Sequence, residues 1–203
     1  MTDNLENEPE ALKDSKEAIK SVKRTGYGDN TTPGLPFAVQ AQYIKDLSFE
    51  NPNAPEIYEL MTRIKPKMNI NIDVGTHKIE HPKTENFYEV FLTLTAQAEQ
   101  RPEDMSEEEK AALEKDGNRQ PKTVFLAEIV YAAAVIIQDT PSEHHHPILL
   151  AEVPRYLFPT AREILGNLTQ HGYFPPLWIY PVDFHAMYKE RFGKKAKESA
   201  DAA

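Results

Sequence analysis

The apolar positions of this chain change period along its length, and the changes predict its elements. In YIKDLSFE, Tyr43, Lys45, Leu47 and Phe49 share one parity, while Ile44, Asp46, Ser48 and Glu50 share the other. A period of two predicts a strand with one polar face. NPNAP then breaks the ladder, because each proline removes a donor and asparagine favours turns. KMNINIDV predicts a second strand, in which Met68, Ile70, Ile72 and Val74 alternate with Lys67, Asn69, Asn71 and Asp73. FYEVFLTLTAQAE predicts a third, with Tyr88, Val90, Leu92, Leu94 and Ala96 on one side. Glu89, Thr93, Thr95 and Gln97 lie on its other side, with Phe87 and Phe91 as apolar exceptions. The fourth, TVFLAEIVYAA, is apolar on both faces apart from Glu128, as expected of a strand buried on both sides or covered by a partner subunit.

Beyond these strands the period lengthens. Ile148 to Val153 predicts a short turn, and a helix follows with Pro159 as its first residue, running to about Gln170 with Gly172 just beyond. Ala161, Ile164, Leu165 and Leu168 give that helix one apolar stripe. The prolines of YFPPLWIYPV forbid a helix and predict an extended segment. Asp183 caps a last helix, FHAMYKERF, expected to end at Gly193. Residues 100–121 read as a hairpin insertion, in which Ser106 and Glu109 form a capping box and Gly117 ends a short solvated helix. Strands followed by helices predict an α+β fold: a four-stranded antiparallel sheet with helices packed on one side.

Residues 1–40 are rich in Lys, Glu, Asp, Asn, Thr and Gly, with few large apolar groups to offset the entropy of ordering them. They are expected to form a disordered extension, with at most a transient helix from Glu10 to Lys23. Residues 41–193 form the expected folded domain, and residues 194–203 a mobile tail.

Composition narrows the function. The 203 residues carry 32 acidic and 23 basic side chains, for a formal net charge of −9. A field of that sign repels phosphate backbones and acidic membrane surfaces and favours a basic partner, so no nucleic acid and no direct membrane insertion are expected. There are no cysteines, which removes disulfides, thiolate nucleophiles and cysteine zinc sites. The opening MTDNLENEPE has neither the basic start nor the apolar core of a signal peptide, and no apolar run approaches the ~20 residues of a membrane span. A soluble, cytoplasmic protein is expected.

Catalytic patterns are missing. The chain has no GxGxxG, no GxxxxGK followed by Ser or Thr, no GxSxG and no HExxH, so no enzyme activity, no cofactor and no metal are expected. His144, His145 and His146 invite a metal reading, but adjacent residues splay apart, and a solvated loop before Pro147 is the expectation. Asp46 and Glu50 share a strand face, yet strand rise separates them by ~13 Å, too far for a carboxylate dyad. They suit a charged surface or a protein-docking face.

Three stretches resemble the SecB family of export chaperones: YIKDLSFENPNAP, FLAEI, and LFPTAREILGNLTQHGYFPPLWIYPVDFHAMY. Together they span roughly residues 42–192 in the family's order. The resemblance implies a homotetramer built as a dimer of dimers, each dimer an eight-stranded sheet, with long helices sandwiched between. It implies an ATP-independent chaperone that holds unfolded preproteins in apolar grooves and delivers them to the SecA motor. Asp46, Glu50, Leu126 and Glu128 correspond to the SecA-binding face. Met68, Ile70, Ile72, Tyr188 and Phe192 correspond to the substrate groove, although each is an equally good core residue. Ala127, Ile129 and Tyr131 correspond to positions linked to tetramer assembly. The tail KKAKESADAA is less acidic than a SecA-contacting tail should be. The alternatives are a chaperone of the same fold dedicated to an antitoxin, an enzyme using the histidine cluster, and a small-ligand binding module.

Overall fold

The computed structural model describes residues 35–62, 65–100, 106–108, 110–111 and 122–201. Strands β1 (Phe37–Glu50), β2 (Lys67–Lys78), β3 (Phe87–Gln100) and β4 (Lys122–Ile137) form one antiparallel sheet in the order β1-β4-β3-β2. A short helix, α1 (Glu56–Met61), lies in the crossover between the two edge strands and buries Ile57. After β4, helical turns from Ser142 lead through a π-helical segment, Ile148–Glu152, into α2 (Val153–His171). An extended segment joins α2 to α3 (Phe184–Asp201).

Register sorts the side chains onto two faces. Val90, Leu92, Leu94 and Ala96 of β3 stand opposite Ala133, Tyr131, Ile129 and Ala127 of β4, and Val74 and Ile72 of β2 continue the rows. Against this face α2 packs Val153, Leu157, Ala161 and Leu165, all fully buried in the same apolar cluster. Each leucine-sized side chain so buried stabilises the fold by roughly 1.5–3 kcal/mol. Residues of opposite parity, among them Thr93, Thr95, Gln97, Leu126, Glu128 and Val130, are only half-buried and form the open face.

The expected α+β class and antiparallel sheet are present, with three corrections to boundaries and one to local structure. The first strand begins at Phe37, inside the expected extension, because Phe37 and Ala38 are buried in the core. Bulges after Val39 and Ile44 break its alternation, so simple parity did not reveal its start. Pro159 lies inside α2 rather than at its first position, and the helix begins with Val153 and Pro154. The buried neighbours Leu157 and Phe158 hold the chain helical through a proline that sequence rules place at a start. His144 to His146 lie in helical turns, with His145 only 8% exposed, instead of in a solvated loop. Finally, α3 passes Gly193 and continues to Asp201. One glycine costs about 1 kcal/mol in a helix, and the Lys, Ala and Glu that follow are good helix formers.

Asp183 caps α3 as expected: its carboxylate accepts the Ala186 N–H at 2.9 Å, and this bond holds its carboxyl below the ordinary aspartate value. The expected transient helix at Glu10–Lys23 lies outside the described residues, as do Glu109 and Gly117 of the insertion. The Lys110 N–H to Ser106 carbonyl bond, 2.9 Å, marks one helical turn there.

The crossover after β1 is tied to the end of α2. Asn51 donates to the Tyr58 hydroxyl at 2.7 Å, Tyr58 donates to the Gly172 carbonyl at 3.0 Å, and Asn53 donates to the Thr123 carbonyl at 2.8 Å. Gly172 is not in a left-handed conformation; Tyr173, with φ 64°, takes that role. A Cβ at Gly172 would come within 2.2 Å of the Phe49 ring, so close approach demands the glycine.

Candidate functional site

The bulge at Lys45 decides what the open face carries. Asp46, Ser48 and Glu50 stand opposite Val130, Glu128 and Leu126, so all four expected docking residues, Asp46, Glu50, Leu126 and Glu128, lie on the open face. Asp46 and Glu50 are exposed, and Glu128 is half-buried, accepting the Thr95 hydroxyl at 2.9 Å. Upstream of the bulge the parity reverses. Tyr43 stands opposite Ala132 on the open face, while Ile44 stands opposite Tyr131 on the covered one. Simple alternation groups Tyr43 and Lys45 with Leu47 and Phe49, and the bulge undoes that grouping.

Sequence reasoning missed a polar cluster beside these acids. Glu89, only 6% exposed, accepts hydrogen bonds from the Tyr43 hydroxyl and the Lys45 ammonium, and His77 Nε2 lies 3.3 Å from the same carboxylate. Burial by itself would raise the Glu89 carboxyl. The bonds from Lys45 and Tyr43 and the charges of Lys45 and His77 outweigh it and hold the group below its ordinary value. Tyr43 moves the other way: burial, its bond to Glu89 and that carboxylate's charge push its hydroxyl up to about 12.

Met68, Ile70 and Ile72 lie on the covered face, in the rows of Ala98, Ala96 and Leu94. Ile72 and Met68 are half-buried, and Ile70 is 42% exposed. The strip leads out from Val74, which Phe184, Met187, Tyr188, Arg191 and Phe192 of α3 cover together with Leu150. The cavity left among these side chains is about 30 Å³. Tyr188 and Phe192 pack with their rings tilted at 38° and centroids 5.1 Å apart, and His146 joins them through an edge contact to Phe192 and a 2.8 Å hydrogen bond to the Tyr188 hydroxyl. Burial pushes the Tyr188 hydroxyl above its ordinary value. Arg191 reaches over the sheet edge to the Asp73 carboxylate and fixes this part of α3 to β2.

The three adjacent histidines have separate partners. His144 lies 3.5 Å from Glu143, His145 bonds the Tyr88 hydroxyl and the Thr140 carbonyl, and His146 belongs to the α3 cluster. Among the described residues no three metal-ligating side chains converge. Ala127, Ile129 and Tyr131 are buried on the covered face in one cluster with Leu157, Ala161 and Leu165. They touch the fold's own core, and Tyr131 donates to the Gln42 side-chain oxygen at 3.3 Å. No described helix is long and apolar enough to cross a membrane.

These features define an α+β protein with a polar, acid-bearing sheet face and an incompletely covered apolar strip on the opposite face. The model of the family described as "Preprotein translocase subunit SecB" matches residues 30–195. Curated relatives named protein-export protein SecB run along most of the chain. The Gluconobacter oxydans protein is 36% identical, covering 87% of this chain and 94% of that one. The Rhodospirillum rubrum protein is 39% identical over 85% and 94% of the two chains, and the Bartonella bacilliformis protein 40% over 80% and 87%. The chain belongs to the SecB family of protein-export chaperones. Among solved structures, a Mycobacterium tuberculosis SecB-like chaperone with an antitoxin peptide matches at TM-score 0.48 and 14% identity, covering 72% of this chain and 88% of that one. Relatives 36–40% identical to this chain are named as protein-export proteins, so the antitoxin alternative is not favoured.

Proposed function

We propose that the chain holds unfolded precursor proteins without ATP and passes them to SecA, with the two tasks on opposite faces of one sheet. The observation that carries this reading is the register itself: Asp46, Glu50 and Glu128 face one way, while Met68, Ile70 and Ile72 face the other. The exposed acids and the half-buried Glu128 suit a basic SecA segment, and attraction between opposite charges speeds encounter. The apolar strip offers modest energy at each contact, and a client wrapped over several copies multiplies such contacts through effective concentration.

The assembly proposed is a homotetramer, a dimer of dimers. β1 is an edge strand of fourteen residues, and a long unpaired edge is a template for pairing, which supports an eight-stranded sheet formed by two copies. Ala127, Ile129 and Tyr131 would then act on assembly indirectly, by setting how α2 sits on the sheet. Residues 41–193 are proposed as the chaperone domain, extended at its start to include Phe37, and the cytoplasm as its location. No catalytic step is assigned.

The test uses the purified full-length chain without nucleotide. It is expected to suppress aggregation of a slowly folding precursor diluted from denaturant, to bind SecA, and to have a solution mass of about four chains. A well-formed tetramer that binds the unfolded precursor but not SecA would remove export delivery from the account.

A further inference from the structure

The open face carries a lysine where a basic partner is expected to dock. Lys45 is the extra residue of the bulge, immediately before Asp46, and its side chain is 44% exposed. It does not project freely. Its ammonium is bonded to the buried Glu89 carboxylate and lies 5.5 Å from the centre of the Phe91 ring. Phe91 rests against Gly75, where a Cβ would lie 2.2 Å from the ring, so a glycine leaves room for the ring that supports the lysine stem. Tyr43 holds the other oxygen of Glu89, and His77 approaches the oxygen that Lys45 uses.

We infer that Glu89 is a positioning residue for docking: it draws the Lys45 ammonium down onto Phe91 and away from Asp46, so that the face presents acid to a basic partner. The inference rests on the reading of the open face as the SecA surface. If Lys45 were released, its charge would compete with the partner for Asp46 and repel the partner's own basic groups. Glu89 itself is too buried to meet the partner, so its effect passes through Lys45.

The test measures SecA affinity for wild type, Glu89→Asp and Glu89→Gln, each also combined with Lys45→Met, with unfolding midpoints and solution mass as controls. Glu89→Gln is expected to weaken binding about fivefold at moderate salt, and less at high salt, where screening is strong. Glu89→Asp keeps the charge but shortens the reach, and is expected to fall between the two. Adding Lys45→Met is expected to bring all three backgrounds within about twofold of each other. Equal binding by wild type and Glu89→Asp would mean that only net charge counts and would overturn the inference. Failure of Lys45→Met to rescue Glu89→Gln would reduce Glu89 to a structural role and also overturn it. If wild type does not bind SecA, the docking reading fails separately. A hexalysine peptide then decides: the same ordering of affinities sustains the inference, and no ordering overturns it.

Discussion

The two faces of this sheet are built from the same four strands and are held to shape by different forces. The covered face is a continuous apolar layer in which Leu92, Leu94, Ile129 and Leu157 are fully buried. Its geometry is set by close packing, where even one missing methylene is felt. The open face is half-exposed and set by individual polar contacts, such as Thr95 to Glu128 and Lys45 to Glu89. A substitution in the packed layer should therefore cost much stability, and one at a polar contact of the open face little.

The sharpest break between the faces comes from neighbours on β3. Leu94→Ala on the covered face is expected to cost about 2–5 kcal/mol, measured by urea unfolding. Thr95→Ala, one residue along and facing the other way, loses one hydrogen bond to Glu128 and is expected to cost about 1 kcal/mol or less. Equal costs would mean that the open face is packed as tightly as the covered one. Gly172→Ala comes next. The new Cβ drives into the Phe49 ring and is expected to cost about 1–3 kcal/mol. Phe49→Leu in the same chain should recover part of that loss, and no recovery would place the strain elsewhere.

The smallest effect is on pH dependence, and it is read at the Tyr43–Glu89 cluster. The Tyr43 hydroxyl is raised to about 12, so it contributes stability that is present below the ordinary tyrosine value and lost as pH rises toward 12. Glu89 is lowered, so its contribution is present above the ordinary glutamate value and lost as pH falls through the folded one. The gap between the unfolding midpoints of wild type and Tyr43→Phe should therefore narrow above about pH 10, with wild type falling faster. Parallel curves would show that the hydroxyl is not held by Glu89.

The same contrast explains what was legible in the sequence. β2 and β3 alternate without interruption, so Met68 to Val74 and Tyr88 to Ala96 fell on their observed faces. β1 carries two bulges, and a bulge shifts parity without any mark in composition. Downstream of the second bulge Asp46 and Glu50 were placed correctly; upstream, Tyr43 and Lys45 were not. The Glu89 cluster stayed hidden for the same reason, since it forms only when the bulge turns Tyr43 and Lys45 toward β3. Pro159 misled differently: position rules describe isolated helices, whereas the buried Leu157 and Phe158 hold this one together. YIKDLSFENPNAP carried the family resemblance, and the bonds of Asn51 and Asn53 now give its end a structural reason.

The central claim is that client holding and SecA docking occupy opposite faces and can be separated. The most direct measurement compares both activities in two variants that keep the solution mass of wild type. Asp46→Ala with Glu128→Ala is expected to lose SecA binding at least tenfold and to hold an unfolded precursor as wild type does. Ile70→Asp with Tyr188→Ala is expected to lose the precursor and keep SecA. Loss of both activities together in either variant, with fold and assembly intact, would contradict the division of labour.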